Sequence, residues 1–385
     1  MKRSFLFPDR LLVVAGLGLI AATYGLVRLA YGLFLPDVQH DLGFGADAGG
    51  AVSAGASVLY CVGAVVGFLL AARAARWLVL AAAVSGGVGA LVMAAAPTTA
   101  VFGAAAVAAS AGAGLASPAM VQLVAVRVAP DRRERAQAVV NSGTGPGLVA
   151  AGVLALLLLP DWRTAWTVAG AVTLAIGVLL VVAAGRPERT SAPALPGRSW
   201  FTAQTTPVVV ALLFGAGSAV VWTYGRSVLV DAGVPTTLTI VAWTALGAGG
   251  AAVAVTARWT STMSRARQWV LTTAVAAVAV LVLGLLPGVV AVSLAACALF
   301  GWGYTAATGA LIAWTGAVDP GHAAAGTSVL FVVLVAGQAV GAAVAGVLVG
   351  SLGSAGTFVA AAVLVAVASG VPLRAKDLRT ASATR

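Results

Sequence analysis

Apolar residues run through this chain in stretches as long as the roughly 20 residues an α-helix needs to cross a bilayer's hydrocarbon core. Short clusters of charge, proline and glycine separate them. The pattern predicts spans at 11–36, 48–72, 77–96, 100–126, 136–159 and 163–184, and a second set at 207–231, 236–257, 268–286, 289–314, 322–350 and 354–373. A polar stretch rich in Pro and Arg, Arg186 to Thr206, lies between the sets. The predicted fold is an all-α integral membrane protein of twelve transmembrane helices in two six-helix bundles. Residues 1–184 form the N-terminal bundle, 185–206 a cytoplasmic linker, 207–374 the C-terminal bundle and 375–385 a cytoplasmic tail. A membrane barrel would need ten-residue alternation of apolar and polar positions, and none recurs. The first run is longer than the apolar core of a signal peptide and is read as a retained helix.

Composition agrees with lipid as the main solvent. Of 385 residues 61% are apolar and 9% charged, against about a quarter charged in soluble domains; mean hydropathy is +1.04. The formal charge of +11 does not indicate a nucleic-acid partner, because the basic residues sit in clusters between spans and not along an aromatic-bearing face. Cys61 and Cys297 lie far apart in apolar runs and read as small buried hydrophobes. No metal-ligand spacing and no GxxxxGK[ST] phosphate loop is present, so neither cofactor nor metal is expected.

Charge sets the expected orientation. With the N-terminus inside, all of the 22 basic residues except Arg28, Arg163 and Arg226 fall in inner segments, which predicts a multi-pass plasma-membrane protein with both termini cytoplasmic. A shift of about 190 residues brings Gly112-Ala-Gly114 over Gly301-Trp-Gly303, Pro130-Asp131 over Asp319-Pro320, and Asp41-Leu-Gly43 over Asp231-Ala-Gly233. Such a repeat predicts two halves related by pseudo-two-fold symmetry.

Several segments carry a family likeness. The first helix reads Arg28-Leu-Ala-Tyr-Gly-Leu-Phe-Leu-Pro36, the fifth carries Asn-Ser-Gly143-Thr-Gly145-Pro146-Gly147, and Asp161-Trp-Arg163-Thr-Ala-Trp166 precedes the sixth. Together with the six-plus-six arrangement these resemble the major facilitator superfamily of secondary transporters, in a YbfB-like or cyanate-transporter-like bacterial branch. The resemblance implies alternating access and a cavity lined by helices one, four, seven and ten. In the loop between helices two and three, Gly67 and Arg76 match the family signature, while Ala71 and Ala74 stand where it has Asp and Gly.

An ionisable side chain inside a span costs about 2.5–3.5 kcal/mol on insertion scales and persists mainly where it meets water, substrate or a partner. Arg28 is the sharpest case. Tyr24, Arg28 and Tyr31 at i, i+4 and i+7 would share one α-helical face, and guanidinium offers a fixed fork of donors to a carboxylate. The competing reading is a structural or snorkelling arginine. Arg226 and Trp222 in helix seven, Tyr304 in helix ten, Asn141 in helix five and Gln338 in helix eleven complete the candidate substrate contacts; Arg226, near the outer end of its helix, could instead snorkel, and Tyr304, Asn141 and Gln338 could instead bridge helices. Weaker stripes are Ser53, Ser57 and Tyr60 in helix two, and Gly301, Tyr304 and Thr308 in helix ten. Asp37 and Asp231, at the outer ends of helices one and seven, are candidate gate residues, pairing Asp37 with Arg226 or Asp231 with Arg28. Gly63/Gly67, Gly143/Gly147, Gly337/Gly341 and Gly346/Gly350, each four apart, would let helix backbones approach.

No Asp or Glu lies at mid-span, which disfavours lipophilic cations. The expected function is secondary active transport of a small organic solute, with an anion as the substrate hypothesis; the alternative is an exporter of an apolar metabolite or drug whose arginines are structural. Expected partners are the small-molecule substrate, a coupling proton and membrane lipid. An enzyme is not expected, because the two histidines, His40 and His322, fall on opposite sides in this topology.

Overall fold

The computed structural model describes residues 7–185, 197–260, 262–319 and 322–370. Half of the linker (186–196) and the whole C-terminal tail predicted above, and Pro320 of the repeat, lie outside the described residues. The chain divides into two compact units: Met1–Gly45 with Gly55–Ala194, and Ala46–Ala54 with Leu195–Arg385.

Among the described residues all regular structure is helical, and ten helices are long and apolar enough to cross a membrane. The sequence pattern predicts twelve. The difference lies in two elements, Ala46–Ala95 of 50 residues and Ala323–Gly370 of 48 residues. A straight helix of that size is roughly 70–75 Å long, more than twice the ~30 Å of a hydrocarbon core. Each is broken at one residue, Ala74 (φ −141°, ψ 23°) and Gly353 (φ 70°, ψ 173°). Both breaks fall between predicted spans, but with so little intervening chain that helical hydrogen bonding runs almost through them. The φ of Ala74 is open to any residue, so alanine serves where the family signature has glycine. Gly353 is different, because its φ and ψ are accessible only without a Cβ.

In the first unit the chain runs through α1 (Phe7–Ile20), a π-helical segment (Ala21–Leu29), α2 (Ala30–Leu42), most of α3 (Ala46–Ala95), α4 (Thr99–Arg127), α5 (Arg133–Asn141), α6 (Thr144–Leu158) and α7 (Trp162–Ala184). Helix ends follow local chemistry. Gly43, at φ 69°, closes α2 in the left-handed conformation. Asp161 caps α7 by accepting from the Thr164 hydroxyl at 2.6 Å and its amide at 3.0 Å, and those two bonds hold its carboxyl below the usual carboxylate range. Arg163, two residues on, donates to the carbonyls of Ala94 and Ala96 at the end of α3 and pairs with Asp41 at 3.3 Å. Trp162 between them packs edge-on against Phe102. The Asp-Trp-Arg motif thus works here as a helix cap and a tie between helix ends.

A buried core of Leu19, Ala82, Ala116, Met120, Val140 and Leu180 fills this unit. Large apolar side chains such as Leu69, Leu157 and Val178 point outward, as expected where lipid is the solvent.

The second unit contains α8 (Arg198–Ala203), α9 (Thr205–Tyr224), α10 (Ser227–Asp231), α11 (Thr236–Thr260), α12 (Arg265–Leu285), α13 (Val290–Val318) and α14 (Ala323–Gly370), together with the first turns of α3. Tyr224 donates to the Ala46 carbonyl at 2.6 Å, and the Ser53 and Thr223 hydroxyls lie 2.8 Å apart. Gly233, at φ 75°, follows α10 as Gly43 follows α2.

The same glycine contacts occur inside each unit. Added Cβ atoms at Gly143 and Gly147 would strike the carbonyls of Leu17 and Ala21; at Gly337 and Gly341 they would strike those of Leu212 and Ala216. Likewise Gly114 faces the Tyr60 carbonyl as Gly301 faces that of Leu246, and Gly63 faces Ala111 as Gly249 faces Ala298. The residue offset is 194–195 for the first contact set, 186–187 for the second and 190 for the capping glycines. A single shift of 190 therefore detects the repeat while misplacing whole helices. The predicted match of Gly112 with Gly301 is one casualty: Gly112 meets the Ala82 carbonyl, and the counterpart of Gly301 is Gly114.

Of the predicted glycine pairs, Gly346/Gly350 is only half engaged, since a Cβ at Gly350 would meet nothing within 4 Å. Gly341→Leu should therefore destabilise the folded protein by about 1–3 kcal/mol through overpacking. Gly350→Leu should leave the thermal midpoint of the detergent-purified protein unchanged or slightly higher.

Candidate functional site

Two polar clusters lie within otherwise apolar helices, one in each unit. The first is built on the π-helical segment Ala21–Leu29. A π turn closes i→i+5 hydrogen bonds and is wider than an α turn, and such turns recur at functional sites. The wide segment packs on the glycine-rich start of α6, where a Cβ at Gly25 would lie 2.5 Å from the Gly147 backbone. Glycine on both sides is what leaves room for it.

From this segment Tyr24 and Arg28 reach α3 and α4. The Tyr24 hydroxyl donates to Ser117 Oγ at 3.3 Å and lies 2.8 Å from the Tyr60 hydroxyl, so Tyr60 donates to Tyr24. The two phenol rings meet edge to face at 5.7 Å. Arg28 sits over the Tyr60 ring, 4.8 Å from its centroid, and its Nη2 donates to Ser57 Oγ at 3.4 Å. Ser57 and Tyr60 are both buried. The result is a guanidinium inside the membrane-spanning region, held by one aromatic face and one hydroxyl, beside a Tyr60–Tyr24–Ser117 hydrogen-bond chain.

The Tyr31 ring stacks on Phe102 at 6.3 Å, within the aromatic group that includes Trp162. The i, i+4, i+7 expectation assumes α-helical turns throughout, and the π segment changes the register between Tyr24 and Tyr31.

The second cluster joins four helices. Trp222 of α9 packs edge-on to Tyr304 (5.0 Å) and Phe300 (5.6 Å) of α13 and to Trp243 (6.3 Å) of α11. Tyr304 also stacks on Phe214 at 5.5 Å, and its hydroxyl accepts from Gln338 Nε2 of α14 at 3.0 Å. The structure thus brings together Trp222, Tyr304 and Gln338, three side chains that the sequence could propose only one by one.

The remaining candidates have these settings. Arg226 is 2% exposed in the break between α9 and α10, where its Nε donates to Thr239 Oγ1 at 3.0 Å. That burial is not the snorkelling its sequence position allowed. Asn141 is exposed at the end of α5 and accepts from Gln137 at 2.8 Å. Asp37 is half-buried inside α2. Asp231 is exposed and accepts from Ser354 at 3.3 Å.

Sequence reading noticed Ser57 and Tyr60 only as a weak stripe and missed Ser117, Phe214, Trp243 and Phe300. A serine before Pro118 and single aromatics in apolar helices carry no periodic signal. Among the described residues no three His, Cys, Asp or Glu side chains come together to hold a metal.

Ten helices long and apolar enough to cross a membrane among the described residues, packed through small residues around buried polar clusters, define a multi-pass membrane protein. Residues 17–333 match the Major Facilitator Superfamily, and the chain belongs to that family. Among solved structures it is similar to a bacterial homologue of the human lysosomal transporter Spinster, inward-facing and unoccupied, with TM-score 0.77 and 13% identity over 96% of this chain and 97% of that one. It is also similar to the nucleoside transporter NupG, with TM-score 0.75 and 12% identity over 96% of this chain and 100% of that one. A third likeness is to a POT family transporter in complex with 5-aminolevulinic acid, with TM-score 0.76 and 12% identity over 95% of each chain. At such identities the likeness carries the fold alone. No curated protein matches the chain by sequence.

The hydroxyl chain makes one prediction about the first cluster. Tyr60→Phe keeps the ring under Arg28 but removes the donor to Tyr24, so it should lower stability by about 1 kcal/mol, read as a modest fall in thermal midpoint. Ser53→Ala, outside that chain, should leave the cluster's ligand response unchanged.

Proposed function

We propose that this protein is a secondary active transporter that moves a small organic anion across the plasma membrane by alternating access. It would cross the membrane twelve times in two six-helix bundles, the long elements at 46–95 and 323–370 each crossing twice, with both termini cytoplasmic. Within the superfamily we place it near the YbfB-like and cyanate-transporter-like members. Its solute would engage Arg28 and Tyr24, with Asp37 and Asp231 as gate residues and a proton as coupling ion.

The observation that carries this reading is Arg28 over the Tyr60 ring with Ser57 at 3.4 Å. An arginine stabilising only its own surroundings would be costly to keep there. A guanidinium oriented by a ring and a hydroxyl is suited to bidentate pairing with a carboxylate. Family membership supplies the transport class; the charge preference rests on Arg28.

The test is a thermal-shift panel of organic anions, neutrals and lipophilic cations on detergent-purified protein, wild type beside Arg28→Gln. A ligand at 100 times its dissociation constant stabilises the folded state by about 2.7 kcal/mol. Anions should shift the wild type and not the variant. Neutral or cationic compounds shifting both proteins alike would assign Arg28 a structural role and favour an exporter of apolar compounds.

A further inference from the structure

The second unit uses its buried indoles in two ways. Trp269 donates from Nε1 to the Ala368 carbonyl at 3.0 Å, and Trp302 donates to Thr256 Oγ1 at 2.8 Å. These are structural ties. Trp222 and Trp243, neighbours at 6.3 Å, instead bury their Nε1 donors with no acceptor among the described residues, as Trp200 in this unit and Trp166 in the first do singly. Trp222 is 9% exposed and Trp243 2%. Burying an N–H without a partner is unfavourable, and native interiors rarely tolerate it. Two orphan donors side by side, next to a half-buried tyrosine, differ from the single ones at Trp166 and Trp200 and call for an acceptor that the described residues do not supply.

The surroundings say what kind of molecule would bring it. Phe214 and Phe300 flank Tyr304 with their ring planes 24° and 28° from its own. Trp222 stands across that stack, at 76° to Tyr304. Offset-parallel and edge-to-face arrangements are those aromatic rings prefer. Gln338, 4% exposed, donates to the Tyr304 hydroxyl and so fixes the tyrosine in this group. Aliphatic solutes would gain nothing from such geometry that leucine and valine could not provide.

We propose that this cluster is a binding subsite for a planar, ring-bearing solute, with Trp222 Nε1 donating to an acceptor atom on the ring. The inference rests on the transporter reading above and narrows its solute to ring-bearing compounds with a ring acceptor. The amide of Gln338 and the phenol of Tyr304 position the subsite, while Trp222 makes the contact.

The experiment is isothermal titration of the purified full-length protein with four probes: nicotinate (ring and ring nitrogen acceptor), benzoate (ring without acceptor), cyclohexanecarboxylate (carboxylate without aromatic ring) and neutral nicotinamide. Wild type should bind nicotinate best and cyclohexanecarboxylate worst. Trp222→Phe keeps a ring and removes the donor, so it should erase the preference for nicotinate over benzoate, a loss of about fivefold. Trp222→Leu should also erase the preference of benzoate over cyclohexanecarboxylate; if it does not fold, the phenylalanine variant decides alone.

Equal binding of the three acids by wild type, lost in Arg28→Gln, would overturn the subsite and leave the anion reading standing. Nicotinamide binding that needs Trp222 but survives Arg28→Gln would support the subsite and overturn the anion reading. Failure of every ring-bearing probe to bind would overturn the subsite.

Discussion

Close contact between helix backbones at glycine governs the packing of both units. Where Gly143 and Gly147 face the carbonyls of Leu17 and Ala21, and where Gly337 and Gly341 face those of Leu212 and Ala216, no Cβ fits between the helices. In lipid the apolar surface of a helix gains little by leaving its solvent, so association depends on such close packing and on polar contacts. The contact also has a local consequence. By giving up side-chain volume along α6, the glycines make room for the wide π segment, and that segment sets the direction of Tyr24 and Arg28. A helix-packing constraint is thus translated into the geometry of a polar site.

Two arginines within apolar helices meet the membrane's demand for satisfied polar groups in different settings. Arg28 lies over the Tyr60 ring and donates to the Ser57 hydroxyl. Arg226 is sealed in a helix break with Thr239, whose own hydroxyl donates to the Thr236 carbonyl at 2.7 Å.

Much of the architecture was legible in the sequence because the bilayer imposes a length, and runs of apolar residues reveal it. The boundaries Thr99–Arg127 and Trp162–Ala184 fall close to the predicted 100–126 and 163–184. The breaks at Ala74 and Gly353 were legible as positions but not as form, since a single residue suffices to interrupt each helix. The repeat was visible but misregistered, because loops and the π segment add different numbers of residues in each half. Arg28 stood out as a charge in an apolar run; its partners Ser57 and Tyr60 lie on another helix about 30 residues away, beyond any local pattern. The expected α-helical face of Tyr24, Arg28 and Tyr31 shows the limit most clearly, since a π segment runs through it and no local pattern announces one.

The central claim is that the guanidinium of Arg28 receives the anionic group of the solute. Its most direct test is uptake of organic acids into proteoliposomes by wild type, Arg28→Lys and Arg28→Gln, with equal reconstitution verified. Lysine keeps the charge but loses the fork of donors. The account predicts transport by wild type, weaker apparent affinity in Arg28→Lys and none in Arg28→Gln. Wild-type rates of organic-acid uptake in Arg28→Gln would contradict it.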